Sequence, residues 1–221
     1  MDQGEKGRSR ARTGQGAPSP FDREHQRRSK REAVLGVAAS AFNQRGFANT
    51  SMDEVAEALE ISKPTLYRYF SSKQQILLEL HQQAMNHGEA ALALAHREGR
   101  TGLDKFLIYA RRYMQGIFGD FGTCPVLTDV DSLAPADKER VVARRAKISL
   151  ATAQLIEEGV ADGSMAPCDA RLASLYVLGA INWMPLWYRS DGRKKPDEII
   201  DEFLTLFTRT LAAPGTGGDA R

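Results

Sequence analysis

Lys63, Thr65, Tyr67, Arg68 and Tyr69 follow Ser62 in one short stretch, and their chemistry suits a nucleic-acid duplex. Lysine and arginine neutralise phosphate, and arginine also reads guanine edges. Threonine and tyrosine hydroxyls bond to phosphates or base edges. Residues that would make or break covalent bonds gather nowhere in comparable order. The sequence holds no G-x-S-x-G, Walker A, G-x-G-x-x-G or H-E-x-x-H. His81 and His87 miss the four-residue step that puts two metal ligands on one helical face. Cys124 and Cys168 form no C-x-x-C pair, which excludes a zinc ribbon or a disulfide framework. Nothing beside Cys124 is placed to depress a thiol pKa, so an inert thiol is expected there. No catalytic residue, metal or cofactor is expected.

For that stretch to face a duplex, a short helix must carry it. Ser62 can cap such a helix, Pro64 is tolerated in its first turn, and Leu66 and Phe70 point inward. Ahead of it, Ser51-Met52-Asp53-Glu54 reads as a capping box that opens another short helix ending near Leu59. Glu60-Ile61-Ser62 is the turn between them. A longer first helix spans about residues 23–45, with Ala33, Val34, Val37, Ala38, Ala41 and Phe42 on one face and Gly46 as its stop. Ser71-Ser72-Lys73-Gln74 reads as a second capping box, opening a helix to about Ala95. Two short helices joined by a tight turn after a longer one suggest a helix-turn-helix. Helix N-termini near Ser51 and Ser71 favour phosphate oxygens. The same periodicity also fits a small bundle with a solvated polar face.

The 221 residues are 42% apolar and 26% charged, an ordinary globular composition that excludes collagen-like, wholly disordered and membrane classes. No run approaches a bilayer span, the N-terminus lacks the apolar core of a secretory signal, and a cytoplasmic location follows. Net charge is +2 but unevenly placed: residues 1–75 hold 13 Lys and Arg against 9 Asp and Glu. That asymmetry suits an anionic partner at one end. Residues 1–20 and 212–221 are Gly-rich with too little apolar surface to order, so both are expected to be disordered tails, the first of them basic.

The run from Ala39 through Phe42, Gly46-Phe47, Thr50-Ser51 and Val55-Ala56, continuing through Ser62-Lys63-Pro64-Thr65-Leu66-Tyr67-Arg68-Tyr69-Phe70 to Ser72-Lys73, resembles the DNA-binding domain of TetR-family transcriptional regulators. The resemblance covers about residues 30–80. It implies that Thr50 and Ser51 touch phosphate, that Lys63, Thr65, Tyr67, Arg68 and Tyr69 enter the major groove behind Ser62, and that Lys73 holds the DNA backbone. Pro64 and the Arg68-Tyr69 pair depart from the family pattern, so base preference does not carry over.

The remainder reads as all-α. Helices are expected over about 103–118, 136–161 and 169–188, with a last one after Pro196. Phe106, Tyr109, Tyr113, Trp183 and Trp187 form an aromatic set that is either core or the wall of a pocket for an apolar ligand. The segment Asn182-Trp183 through Trp187-Tyr188-Arg189-Ser190-Asp191-Gly192 resembles the TetR subgroup that responds to acyl-CoA thioesters. Leu175, Leu178 and Gly179, joined by Phe203, Leu204 and Phe207, are expected to form an isologous homodimer interface. These expectations make an N-terminal three-helix domain (21–71) on a C-terminal ligand-binding and dimerisation domain (72–211). The function they imply is a repressor released from a near-palindromic DNA operator by an apolar effector such as an acyl-CoA. A helical lipid carrier or enzyme with a structural N-terminal bundle is the alternative.

Overall fold

The computed structural model describes residues 20–119, 129–189 and 191–214. Among them are nine α-helices and one 3-10 turn, Val130–Ser132, with no sheet. The expectations for the two tails fall almost wholly outside the described residues, and those for Cys124 do so entirely.

Helix α1 (Pro20–Arg45) is polar and exposed over Glu24 to Lys30, then turns Val34, Leu35, Ala38, Ala39 and Phe42 into the core. Gly46 ends it at φ 82°, a left-handed value that a side chain would strain. Helix α2 (Met52–Ala58) opens on the capping box its sequence encodes: Ser51 Oγ accepts the Glu54 amide at 3.2 Å, and the Glu54 carboxylate accepts the Ser51 amide at 2.6 Å. Helix α3 (Lys63–Tyr67) follows, capped by Ser62 and carrying Pro64 in its first turn. Helix α4 (Lys73–Glu98) is capped by Ser72, not Ser71. Ser72 Oγ accepts the Gln75 amide at 3.1 Å, and the Gln75 side chain returns to the Ser71 amide at 2.6 Å.

Helix α4 is shared. Ile76, Leu77 and Leu80 join the N-terminal core, while Met85, Ala91, Leu92 and Ala95 join the second bundle. There α4 packs on α5 (Gly102–Ile117) and α6 (Pro135–Ala161), α7 (Ala170–Asn182) lies on α6, and α9 (Pro196–Leu211) covers α5. Helix α5 meets α6 backbone to backbone, because a Cβ on Gly102 would lie 2.0 Å from the Gly159 nitrogen. Its first amides are satisfied from across the contact: Gly102 donates to Asp162 Oδ2 at 2.7 Å and Leu103 to Ser164 Oγ at 3.1 Å. The single helix expected over 169–188 breaks at Trp183, and Pro185 sits in the first turn of the short α8 (Met184–Trp187).

His81 is wholly buried on α4, with Nδ1 accepting from the Arg145 guanidinium at 3.0 Å. Burial first, and the Arg145 charge second, lower its pKa from 6.5 to about 3. The unfolded chain therefore binds a proton below about pH 6.5 that the folded chain refuses, so stability falls as pH drops through that window. The slope from this residue is at most about 1.4 kcal/mol per pH unit. Urea midpoints measured across the window should fall with acidification in the native protein, and more shallowly in His81→Gln. Parallel profiles would show that His81 is not the responsible group.

Candidate nucleic-acid interface

The exposed surface of α3 is made of Ser62, Lys63, Pro64, Tyr67 and Arg68, with Thr65 and Tyr69 half-buried. Leu66 and Phe70 are fully buried beneath it, as the spacing predicts. Tyr67 keeps 44% of its surface open, which leaves its ring and hydroxyl accessible from outside. Ser62 Oγ caps α3 by accepting the Thr65 amide at 3.4 Å, and lies 2.8 Å from Thr65 Oγ1.

Two of the expected contacts are engaged elsewhere. Thr50 is buried, and its hydroxyl donates to the Gly46 carbonyl at 3.0 Å. It closes the loop after α1 rather than presenting a hydroxyl to phosphate. Lys73 does not extend toward a DNA backbone either. Its ammonium donates to the carbonyls of Phe47 and Thr50, both at 2.6 Å, and of Ala48 at 3.4 Å, and lies 4.3 Å from the centre of the Phe47 ring. Its three donors are all used within the chain. Ser51 is exposed, but its hydroxyl donates to Glu54 at 3.0 Å. The Glu54 carboxyl is held below its usual range, first by the Ser51 amide. Lys63 pairs with Asp53 at 2.7 Å, which raises its pKa. Ser51, Asp53, Lys63, Tyr67 and Lys73 nevertheless share one open groove of about 430 Å³.

Sequence reasoning missed Arg31. Its guanidinium forks onto Glu79, donates to the Tyr69 carbonyl at 2.6 Å, and lies 4.1 Å from the centre of the Phe70 ring. It ties α1 to the end of α3 and to α4. These partners lie far apart in sequence, so no local pattern announces them.

In the second bundle the five aromatic candidates do not form one pocket. Phe106 is buried edge-on to Phe207 at 6.0 Å, and buried Tyr109 stacks on Tyr113 at 5.6 Å. Tyr113 donates to Asn182 Oδ1 at 2.9 Å. Trp183 is 59% exposed and stands apart from that inner set. Trp187, also exposed, stacks on Phe203 at 6.2 Å. The expected dimer interface is likewise divided by the fold. Leu178, Leu204 and Phe207 are buried in the chain's own core, because α7 and α9 each turn one apolar face inward. Leu175 and Gly179 do face outward, and Phe203 is half-buried. Leu175 and Gly179, with Leu172, Tyr176 and Trp183, form an exposed stripe along α7 and its C-terminal cap.

Two short helices held over a common core, with a polar and aromatic outer face, define a helix-turn-helix DNA-binding protein. Residues 34–80 match the family described as bacterial regulatory proteins, tetR family, and residues 99–211 match the Tetracyclin repressor-like C-terminal domain. The chain belongs to the tetR family and is a DNA-binding transcriptional regulator. It is similar to the HTH-type transcriptional repressor KstR2 of Mycolicibacterium smegmatis, at 25% identity over 195 residues covering 80% of this chain and 88% of that one. The TetR family regulator PfmR from Thermus thermophilus aligns with a TM-score of 0.69 at 28% identity, covering 80% of this chain and 97% of that one. AibR in complex with isovaleryl coenzyme A and operator DNA shares the fold, with a TM-score of 0.67 at 20% identity, covering 82% of this chain and 99% of that one.

Removing the Lys73 clamp leaves the carbonyls of Phe47 and Thr50, both part-buried, without their donor, so Lys73→Met should lose about 1–3 kcal/mol of stability in urea titration. Lys63→Ala should leave the midpoint unchanged, because its ion pair is exposed. Equal behaviour of the two variants would contradict the clamp.

Proposed function

We propose that the chain is a cytoplasmic, non-catalytic homodimeric repressor that binds a near-palindromic operator and leaves it when an acyl-CoA thioester binds. One observation carries the reading: the exposed Tyr67–Arg68 surface of α3, held over a fully buried Leu66 and Phe70. In the reading, Ser62, Lys63, Thr65, Tyr67, Arg68 and Tyr69 meet the duplex directly, with Ser51 at the groove's edge. Thr50 and Lys73 shape the loop that presents them. A lipid carrier would have no use for that surface. Two copies related by a two-fold axis place their recognition helices ~34–36 Å apart, on successive turns of one face of the duplex.

The stripe of Leu172, Leu175, Tyr176, Gly179 and Trp183 on α7 supports the dimer. It runs at helical spacing on the open side of the bundle. Gly179 has open space where a Cβ would stand, so a second helix can approach closely there. Leu175→Glu should give a folded monomer by light scattering, since the side chain touches no core in the protomer. A dimer unchanged by that substitution would put the interface elsewhere.

The effector class is supported by a feature outside the inner aromatic set, whose Phe106 and Tyr109 are wholly buried in the core. Trp187, Tyr188 and Phe203 line an open groove of about 470 Å³ with Arg189, Arg193, Lys194 and Glu202. Lys194 pairs with Glu202 at 2.7 Å and Arg189 with Asp191 at 3.3 Å, which leaves Arg193 as the lining cation with no carboxylate partner among the described residues. Aromatic faces beside cations suit an adenine ring and phosphates. AibR, described with isovaleryl coenzyme A, is a relative in fold with that class of ligand. The effector acts only through its differential affinity for the DNA-bound and released conformations. A long-chain or steroid-derived acyl-CoA should weaken DNA binding by ~1–3 kcal/mol and alter tryptophan fluorescence, the free acid or free CoA much less. Titration calorimetry with no heat for any acyl-CoA would reject this effector class.

A further inference from the structure

The cations of the N-terminal domain fall into two groups. Lys63 is paired with Asp53, Arg45 with Glu54 and Arg31 with Glu79, and Lys73 is held by carbonyls. Arg27, Arg28, Lys30 and Arg68 are exposed, and no carboxylate among the described residues pairs with them. Arg27, Lys30 and Arg68 lie together. With Gln26 and Tyr69 they line an open groove of about 490 Å³ between the exposed half of α1 and the end of α3. Gln26 and Lys30 stand one helical turn apart with Arg27 beside them, so all three face the groove from one side.

The groove is preformed. One turn along α1, Arg31 is anchored on Glu79 and on the Tyr69 carbonyl, which fixes the α1 wall against the α3 wall. Its α1 wall also lies outside residues 34–80, the part that matches the tetR family. In a helix-turn-helix the N-terminal residues of the second helix reach base edges. Its C-terminal end then lies toward the backbone, and Arg68 and Tyr69 stand at that end of α3.

We propose that Arg27 and Lys30, with Arg68, form a phosphate-binding groove that grips the DNA backbone beside the site read by α3. This rests on the DNA-binding reading above and assigns the sequence-independent part of the affinity to it. The paired Lys63 and the internally bonded Lys73 leave that role to cations that need break no bond to take it. Each phosphate neutralised releases condensed counterions, and so adds about 0.9 to the slope of log affinity against log salt. A grip of this kind strengthens binding to all duplexes equally and carries no base preference.

The test is fluorescence anisotropy of the full-length protein on a labelled mixed-sequence duplex across a range of salt concentrations. Arg27→Ala/Lys30→Ala should bind more weakly at low salt, with a slope reduced by about 0.9 for each phosphate no longer neutralised. Its melting temperature should match the native protein, because both side chains are exposed. Arg28→Ala is the control, an exposed cation on α1 that does not line the groove. A native slope in the double variant overturns the proposal, and so does an equal loss per charge in Arg28→Ala. Native protein that binds no duplex at any salt would instead defeat the DNA-binding reading itself.

Discussion

A helix of five residues cannot hold its own shape in water. Isolated helices need ~12–15 residues before propagation outweighs the nucleus, and α3 has five. Its geometry is therefore imposed from outside. Ser62 and Thr65 close its first turn, Leu66 and Phe70 root it in the core, and Arg31 grips the Tyr69 carbonyl just past its end. The loop leading to α2 is fixed in the same way, by Thr50 from within and by Lys73 from α4. Arg31, Thr50 and Lys73 shape the reading surface from within, and the surface itself is left to Ser62, Tyr67, Arg68 and their neighbours.

Helix α4 connects this arrangement to the rest of the chain. Lys73, its first residue, clamps the loop before α2, while Met85 and Leu92 belong to the second bundle. His81 lies between these regions, buried against Arg145 of α6. A ligand that shifts α4 against α5 or α6 would carry Lys73, and with it the loop and α3. Coupling of this kind needs no path of special residues, only a helix with two arrangements that ligand and DNA favour differently.

Much of the fold was legible because its signals are local. The capping box at Ser51 and Glu54, the cap at Ser62 and the glycine stop at Gly46 all appear where spacing puts them. On α1 the expected Val34, Ala38, Ala41 and Phe42 turn inward, but Ala33 stays exposed and Leu35 and Ala39 are buried as well. What was not legible depends on partners distant in sequence. Lys73 reads as a free cation until Phe47 and Thr50 are brought beside it, and Thr50 reads as a surface hydroxyl until the loop folds over it. In α7 and α9 the apolar periodicity was visible, but not which face the chain's own helices would cover. Leu204 and Phe207 went to the core, and Leu175 stayed outside. Trp183 and Tyr109 share an aromatic character that says nothing of depth, and the bundle separates them.

The central claim is that two copies of the α3 surface, related by a two-fold axis, read one duplex. Selection of bound sequences from a random-sequence duplex pool with the full-length protein tests it most directly. The predicted result is enrichment of an inverted repeat whose half-site centres lie about 10–10.5 base pairs apart, or a multiple of that. A pool with no enriched sequence, or with one unsymmetrical site, would contradict it.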